Sequence, residues 1–343
     1  MVNATGGTWS TTGTGTFSNP TNLTGVYNIS AADRSSGSVR LILTTTGNGS
    51  CPEVRDTLTL RFQPVPTATA GAGASVCANN PTVALSGSFS NATGAMWSSA
   101  GGGTFSPSAT TMNATYTPSA AEIAAGVATL TLTTTGNNKC SAAISPIPTS
   151  ITITPSPTVD PGTAQTVCQN SPNITLAGSV TNATSQTWSA TGGGTFSPNN
   201  TSLNAVFTPT AAQITAGTVN LTLTATRAGC NSVSANVTMT IQPSPTANAG
   251  SNLTMCYNTP TVALSGSGTN ATTYTWSGGG GVFTPNANTL NATYNPTTAE
   301  RDAGTFVLTL TASRAGCTAA TSNVTVTVNP APVVDAGFDG TVC

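Results

Sequence analysis

The stretch Gly217-Thr218-Val219-Asn220-Leu221-Thr222-Leu223-Thr224-Ala225-Thr226 decides the fold. Val219, Leu221, Leu223 and Ala225 point one way, while Thr218, Asn220, Thr222 and Thr224 point the other. That alternation is the period of a half-buried β-strand, with one apolar face and one hydroxyl-covered face. The sets Val39/Leu41/Leu43 and Phe306/Leu308/Leu310 repeat it elsewhere in the chain. One-sided burial suits a two-layer antiparallel sandwich.

Working outward, the same text recurs. Trp9, Trp97, Trp188 and Trp276 lie 88, 91 and 88 residues apart. Asn3-Ala4-Thr5, Asn91-Ala92-Thr93, Asn182-Ala183-Thr184 and Asn270-Ala271-Thr272 lead into them. A Gly-rich turn follows each Trp, then Phe17, Phe105, Phe196 or Phe283, then Tyr27, Tyr116, Phe207 or Tyr294. After that come the alternating strand, a cysteine and a last strand such as Val324-Thr325-Val326-Thr327-Val328. The pairs Pro64/Pro66, Pro155/Pro157, Pro243/Pro245 and Pro330/Pro332 mark stiff connections, because proline cannot continue a ladder. The expected repeats are 64–154, 155–242 and 243–329. Residues 1–63 read as a partial repeat and 330–343 as an opening, so the chain reads as a window on a longer array.

Each repeat offers about seven short strands separated by turn signals, the immunoglobulin-like pattern. In the second repeat they fall near 74–77, 82–88, 94–98, 103–106, 113–117, 127–135 and 149–154. The expected fold is therefore all-β: tandem immunoglobulin-like antiparallel β-sandwich repeats in an extended array. Trp9, Trp97, Trp188, Trp276, Tyr27, Tyr116, Phe207 and Tyr294 are the candidate core. Ser119-Ala120-Ala121-Glu122, Thr210-Ala211-Ala212-Gln213 and Thr297-Thr298-Ala299-Glu300 each carry a capping box for one short helix, and Ser30-Ala31-Ala32-Asp33 is a weaker version. A catalytic role for these acids is disfavoured because Gln213 serves equally well.

The 8 cysteines are Cys51, Cys77, Cys140, Cys168, Cys230, Cys256, Cys317 and Cys343. Their regular places and the lack of any His or Cys-x-x-Cys favour disulfides over metal, hence an oxidising compartment. Pairing within repeats gives Cys77–Cys140, Cys168–Cys230 and Cys256–Cys317, with Cys51 and Cys343 bonded outside the chain. Pairing across junctions gives Cys51–Cys77, Cys140–Cys168, Cys230–Cys256 and Cys317–Cys343. The first scheme is preferred because the second must pass a strand and a Pro-x-Pro. A loop of about 60 residues closed in this way contributes roughly 4 kcal/mol.

Composition excludes several functions. Charged residues are 5% and the net charge is −1, too little basic charge to displace phosphate counterions. No apolar run approaches the ~20 residues of a spanning helix. No triad is available without His, no cluster of carboxylates suits calcium, and the Gly runs at 101–103 and 278–281 precede no Lys-bearing helix. No cofactor is expected, and the chain is not expected to be an enzyme. Asn-x-Ser/Thr sequons such as Asn113, Asn220 and Asn291 follow from the Asn- and Thr-rich composition.

The string 245–332, "PTANAGSNLTMC…TVALSGSGTNATTYTWS…SNVTVTVNPAP", resembles the tandem immunoglobulin-like or PKD-like repeats of very large Bacteroidota surface proteins. Gliding-motility adhesins and other cargo of type IX secretion carry such repeats. The resemblance covers essentially the whole chain, and Gly101-Gly102-Gly103-Thr104-Phe105-Ser106-Pro107 is among its motifs. It implies export, a place at the cell surface, and a stalk or tether role in adhesion. The partners it implies are neighbouring repeats, other copies in a fibre, and surface polysaccharide. A self-assembling filament and a carbohydrate-binding array are the alternative readings.

Overall fold

The computed structural model describes residues 2–337 apart from 147 and 260. The chain packs as two compact units, Met1–Pro155 and Ser156–Cys343. Alternating Thr/Val/Leu runs pair as expected. In the second repeat Gly94–Ser99, Val127–Thr135 and Thr149–Thr154 form an antiparallel series. Thr104–Ser106, Thr115–Thr117 and Val83–Ala84 form a second sheet. In the second unit the series are Ser185–Ala190, Thr218–Thr226, Val233–Gln242 and Thr273–Ser277, Thr305–Ser313, Ala320–Asn329. The fold is thus tandem immunoglobulin-like β-sandwiches.

One pairing departs from the antiparallel expectation. The opening strand of each of these repeats, Ala74–Cys77, Thr166–Cys168 or Leu253–Cys256, runs parallel to the last strand. A parallel pair needs a long crossover, and the whole body of the repeat supplies it. Two details also differ. The expected strand at 82–88 divides into Val83–Ala84 and Ser88–Ser90, and a short strand Thr67–Thr69 pairs with the latter. Gly87 separates the two pieces under the indole of Trp97, where a Cβ would lie 2.6 Å from a ring carbon.

The cores are local to the repeats. Trp97, Trp188 and Trp276 are buried with Tyr116, Phe207 and Tyr294. Each indole N–H reaches a backbone carbonyl, Met112, Leu203 or Leu290, so burial costs no orphan donor. The aromatic pairs Phe105–Tyr116, Phe196–Phe207 and Phe283–Tyr294 sit 4.9, 4.9 and 4.7 Å apart in tilted geometry. Trp9 and Tyr27 of the first repeat are only half-buried. There the sheet has three strands, Gly6–Thr11, Ser38–Thr46 and Arg55–Arg61, and among the described residues no opening strand covers them.

All four capping boxes form, including the Ser30/Asp33 version. They do more than cap. Tyr116 donates its hydroxyl to both Glu122 oxygens at 2.8 and 2.7 Å, and Ser99 also donates to that carboxylate. Tyr294 meets Glu300 at 2.7 Å, and Tyr27 meets Asp33 at 2.8 Å. Where Phe207 lacks the hydroxyl, the acid is replaced by Gln213, whose amide N–H groups donate to Thr191 and Gly193 carbonyls at 2.8 and 3.1 Å. A buried carboxylate needs donors and a buried amide can supply its own, so the two positions change together. Burial pushes the Glu122 and Glu300 carboxyls up, but hydrogen bonds from the Tyr hydroxyls and the cap outweigh it and hold both below the usual range. For Asp33 the same opposition ends at about 2. The Tyr116 and Tyr294 hydroxyls are pushed up to about 12, chiefly by burial, and remain donors.

Two outcomes follow for stability. Y116F leaves a buried carboxylate one donor short and costs the second repeat about 1–3 kcal/mol, of which E122Q in the same chain restores a part, as urea unfolding will show. Because the Glu122 and Glu300 pKa values are lower folded than unfolded, their contribution is complete above the unfolded value and is lost as pH falls through the folded one. Pepsin should therefore cut the second and fourth repeats progressively faster than the third as the pH drops from about 5 to about 2. Equal acid sensitivity of the third repeat, with Gln213, would contradict the assignment.

Candidate functional site

The parallel opening strand sets its cysteine at the end of the sheet. Cys168 lies opposite Gln242, and Cys256 opposite Asn329. Backbone bonds extend each pair by one residue: Gln169 N–H donates to Gln242 O and Tyr257 N–H to Asn329 O, both at 2.9 Å. The late cysteine of each repeat ends a four-residue turn. Cys140 N–H donates to Asn137 O, Cys230 to Arg227 O and Cys317 to Arg314 O, each at 3.0 Å, and Cys51 to Asn48 O at 3.2 Å. The left-handed residue is Gly49 or Asn138 in the first two turns and Gly229 or Gly316 in the last two.

These two ends meet in the second unit. Cys168, which opens the third repeat, is bonded to Cys317, the late cysteine of the fourth, across 149 residues of sequence. The expected pairs Cys168–Cys230 and Cys256–Cys317 are therefore replaced, and Cys77–Cys140 fails as well because the Cys140 thiol is free. Neither scheme of neighbouring cysteines anticipated a bond that skips a repeat position. The reason is the parallel strand, which carries Cys168 to the junction end of its sandwich, away from its own late turn. Cys77 and Cys230 are also in disulfide linkage, while Cys51 and Cys256 are free. Cys343 lies outside the described residues.

Polar contacts surround the staple. Gln242 Nε2 donates to Ala315 O at 2.6 Å, and Arg314 Nε donates to Gln242 Oε1 at 2.9 Å. Asn170 Nδ2 reaches Thr318 O at 3.0 Å. The linker is pinned as well. Asn270 holds φ 60° and donates through Nδ2 to Ser244 O, the central carbonyl of Pro243-Ser244-Pro245, at 3.2 Å. Asn91 and Asn182 do the same to Val65 and Ser156 at 2.9 and 3.2 Å. Asparagine tolerates the left-handed region better than other side chains and its amide reaches back to the chain, which explains the recurrent Asn-Ala-Thr. The recurrence was visible in the sequence; its role in holding the linker was not.

No family model matches the chain, and no curated protein does either. Among solved structures it is similar to protocadherin gammaB7 EC3-6, at 13% identity over 95% of this chain and 96% of that one, with a TM-score of 0.36. Drosophila N-cadherin EC1-4 is 13% identical over 94% and 92%, with a TM-score of 0.30. The titin I-band fragment I67-I69 is 12% identical over 77% and 96%, with a TM-score of 0.39. These are tandem arrays of β domains, and likenesses of this size carry no functional argument.

Replacing both Cys168 and Cys317 by Ser should lower the stability of the second unit by about 2–5 kcal/mol, read from urea midpoints. N270A should cost about 1 kcal/mol or more and speed proteolysis at Pro243–Pro245, because it removes both the turn preference and the linker bond. Unchanged cleavage at the linker would show that Asn270 does not hold it.

Proposed function

We propose that the chain is an extracellular, non-enzymatic repeat array that carries tension, acting as the stalk or tether of a cell-surface adhesin. The observation that carries this reading is the Cys168–Cys317 bond between successive repeats. A force applied along the chain enters the third repeat before Cys168 and leaves the fourth after Cys317. The bond transmits it directly, so the residues between them cannot be pulled out until it breaks. Within-repeat disulfides would protect each sandwich but leave every linker to stretch alone. Here the linker lies inside the covalent loop and is also held by Asn270 and Gln242.

An oxidising compartment is needed to keep such bonds, which supports an extracellular place. The resemblance to Bacteroidota surface repeats supports attachment to a bacterial surface. The near-absence of charge supports a passive surface with few long-range electrostatic partners.

Single-molecule stretching tests the reading. In the reduced chain the third and fourth repeats should unfold and release about 500 Å of contour that the oxidised chain withholds, at ~3.5 Å per residue. Equal contour gains before and after reduction would remove the mechanical role.

A further inference from the structure

The disulfide that joins the third and fourth repeats has two unlike ends. Cys168 is completely buried, with 0% of its surface open to solvent. It closes the strand Thr166–Cys168 against Gln242, and its carbonyl accepts the Ser171 N–H at 3.0 Å. Cys317 is half-buried and sits on a turn among the exposed residues Ala315, Gly316 and Thr318. A thiolate that exchanges with a disulfide attacks one sulfur and expels the other, so access decides which sulfur is attacked. It approaches in line with the S–S bond, from the side away from the sulfur that leaves. An approach to Cys168 would have to pass through buried protein, whereas an approach to Cys317 starts from solvent.

One side chain covers the open end. Gln242 Nε2 donates to Cys317 Sγ at 3.5 Å, and the Pro243 carbonyl oxygen lies 4.0 Å from the same sulfur. The amide is held in that place from both ends. Its Nε2 also donates to Ala315 O at 2.6 Å, and its Oε1 accepts from Arg314 Nε at 2.9 Å. Arg314 is anchored in turn, because its Nη1 donates to Asn270 O at 3.3 Å. Gln242 ends the last strand of the third repeat, whereas Arg314, Ala315 and Cys317 belong to the fourth. The cover therefore exists only while the two repeats are docked.

We infer that Cys317 Sγ is a thiol-exchange site whose substrates are small-molecule thiols such as glutathione, and that Gln242 gates it. The thiolate forms a bond to Cys317 Sγ while the Cys168–Cys317 bond breaks. Its electron pair leaves on Cys168, which takes up a proton. A second thiol then displaces Cys317 from the mixed disulfide. Two small thiols are oxidised to one disulfide, and the two cysteines are reduced. Burial disfavours the charge departing on Cys168, which keeps exchange slow in the docked joint. Moving the fourth repeat off the third lifts Gln242 from the sulfur, so the site couples the geometry of the joint to its redox state. The inference concerns which sulfur reacts, and it holds whether or not the array carries tension.

The test uses the full oxidised chain with its free thiols first alkylated by N-ethylmaleimide. Brief treatment with reduced glutathione in native buffer, stopped with acid, should place glutathione on Cys317 at least about tenfold over Cys168, as peptide mass spectrometry reads it. Equal adducts on the two cysteines, or adducts that form only in urea strong enough to unfold the second unit, would overturn the site. Q242A should raise the rate at Cys317 by about fivefold or more and leave Cys168 unlabelled. R314A, which loosens the amide without removing it, should give a smaller rise at the same sulfur. An unchanged rate in both variants, or a rise shared equally by Cys168, would overturn Gln242 as the gate.

Discussion

The junction depends on one pairing, the parallel ladder between the opening and last strands of the same repeat. An antiparallel opening strand would leave its cysteine at the far end of the sandwich, near the repeat's own late turn, and a within-repeat bond would be the natural outcome. Running parallel, the strand delivers Cys168 to the end of the sheet where the chain leaves for the next repeat. Cys317 waits there at the end of a four-residue turn whose closing hydrogen bond recurs in all four repeats. The disulfide is a consequence of that placement, and the Gln242–Arg314 contact lies beside it; the Asn-pinned linker recurs independently at each junction.

A second device keeps each small sandwich in register. The indole, the neighbouring aromatic ring and the capping side chain tie the two sheets to the short helix. Tyr with an acid and Phe with Gln are two solutions to the same constraint, that every buried polar atom must have a partner. Three repeats use the first and one uses the second. With 5% charged residues, little stability in this chain comes from ion pairs; one bridge, Arg55–Glu53, appears among the described residues, and both partners are exposed.

The joint and the sandwich would respond differently to tension under the proposed tether role. Hydrogen-bonded strands resist shear but yield in sequence when a chain is drawn out from its ends. A covalent bond that overlaps the linker turns two sandwiches into one object under tension.

Much was legible in the sequence because it is written at period two and repeated. Val219, Leu221 and Leu223 face inward as the alternation required, the strand Val127–Thr135 falls where it was expected, and the tryptophans of the covered repeats are core. The capping boxes could be read from spacing alone, since their partners are three residues apart. The linked change from Tyr and acid to Phe and Gln was also written there, but it gains a meaning only when the ring and the helix cap meet in space. Strand direction was not written at all, because alternation is the same in a parallel and an antiparallel ladder. Cysteine pairing followed strand direction, so it too was decided by the tertiary structure, which brought Cys168 to Cys317 and left Cys140 and Cys256 as free thiols. Local chemistry is a property of neighbouring residues and survives in the sequence; which ends of two sheets meet is a property of the path of the chain.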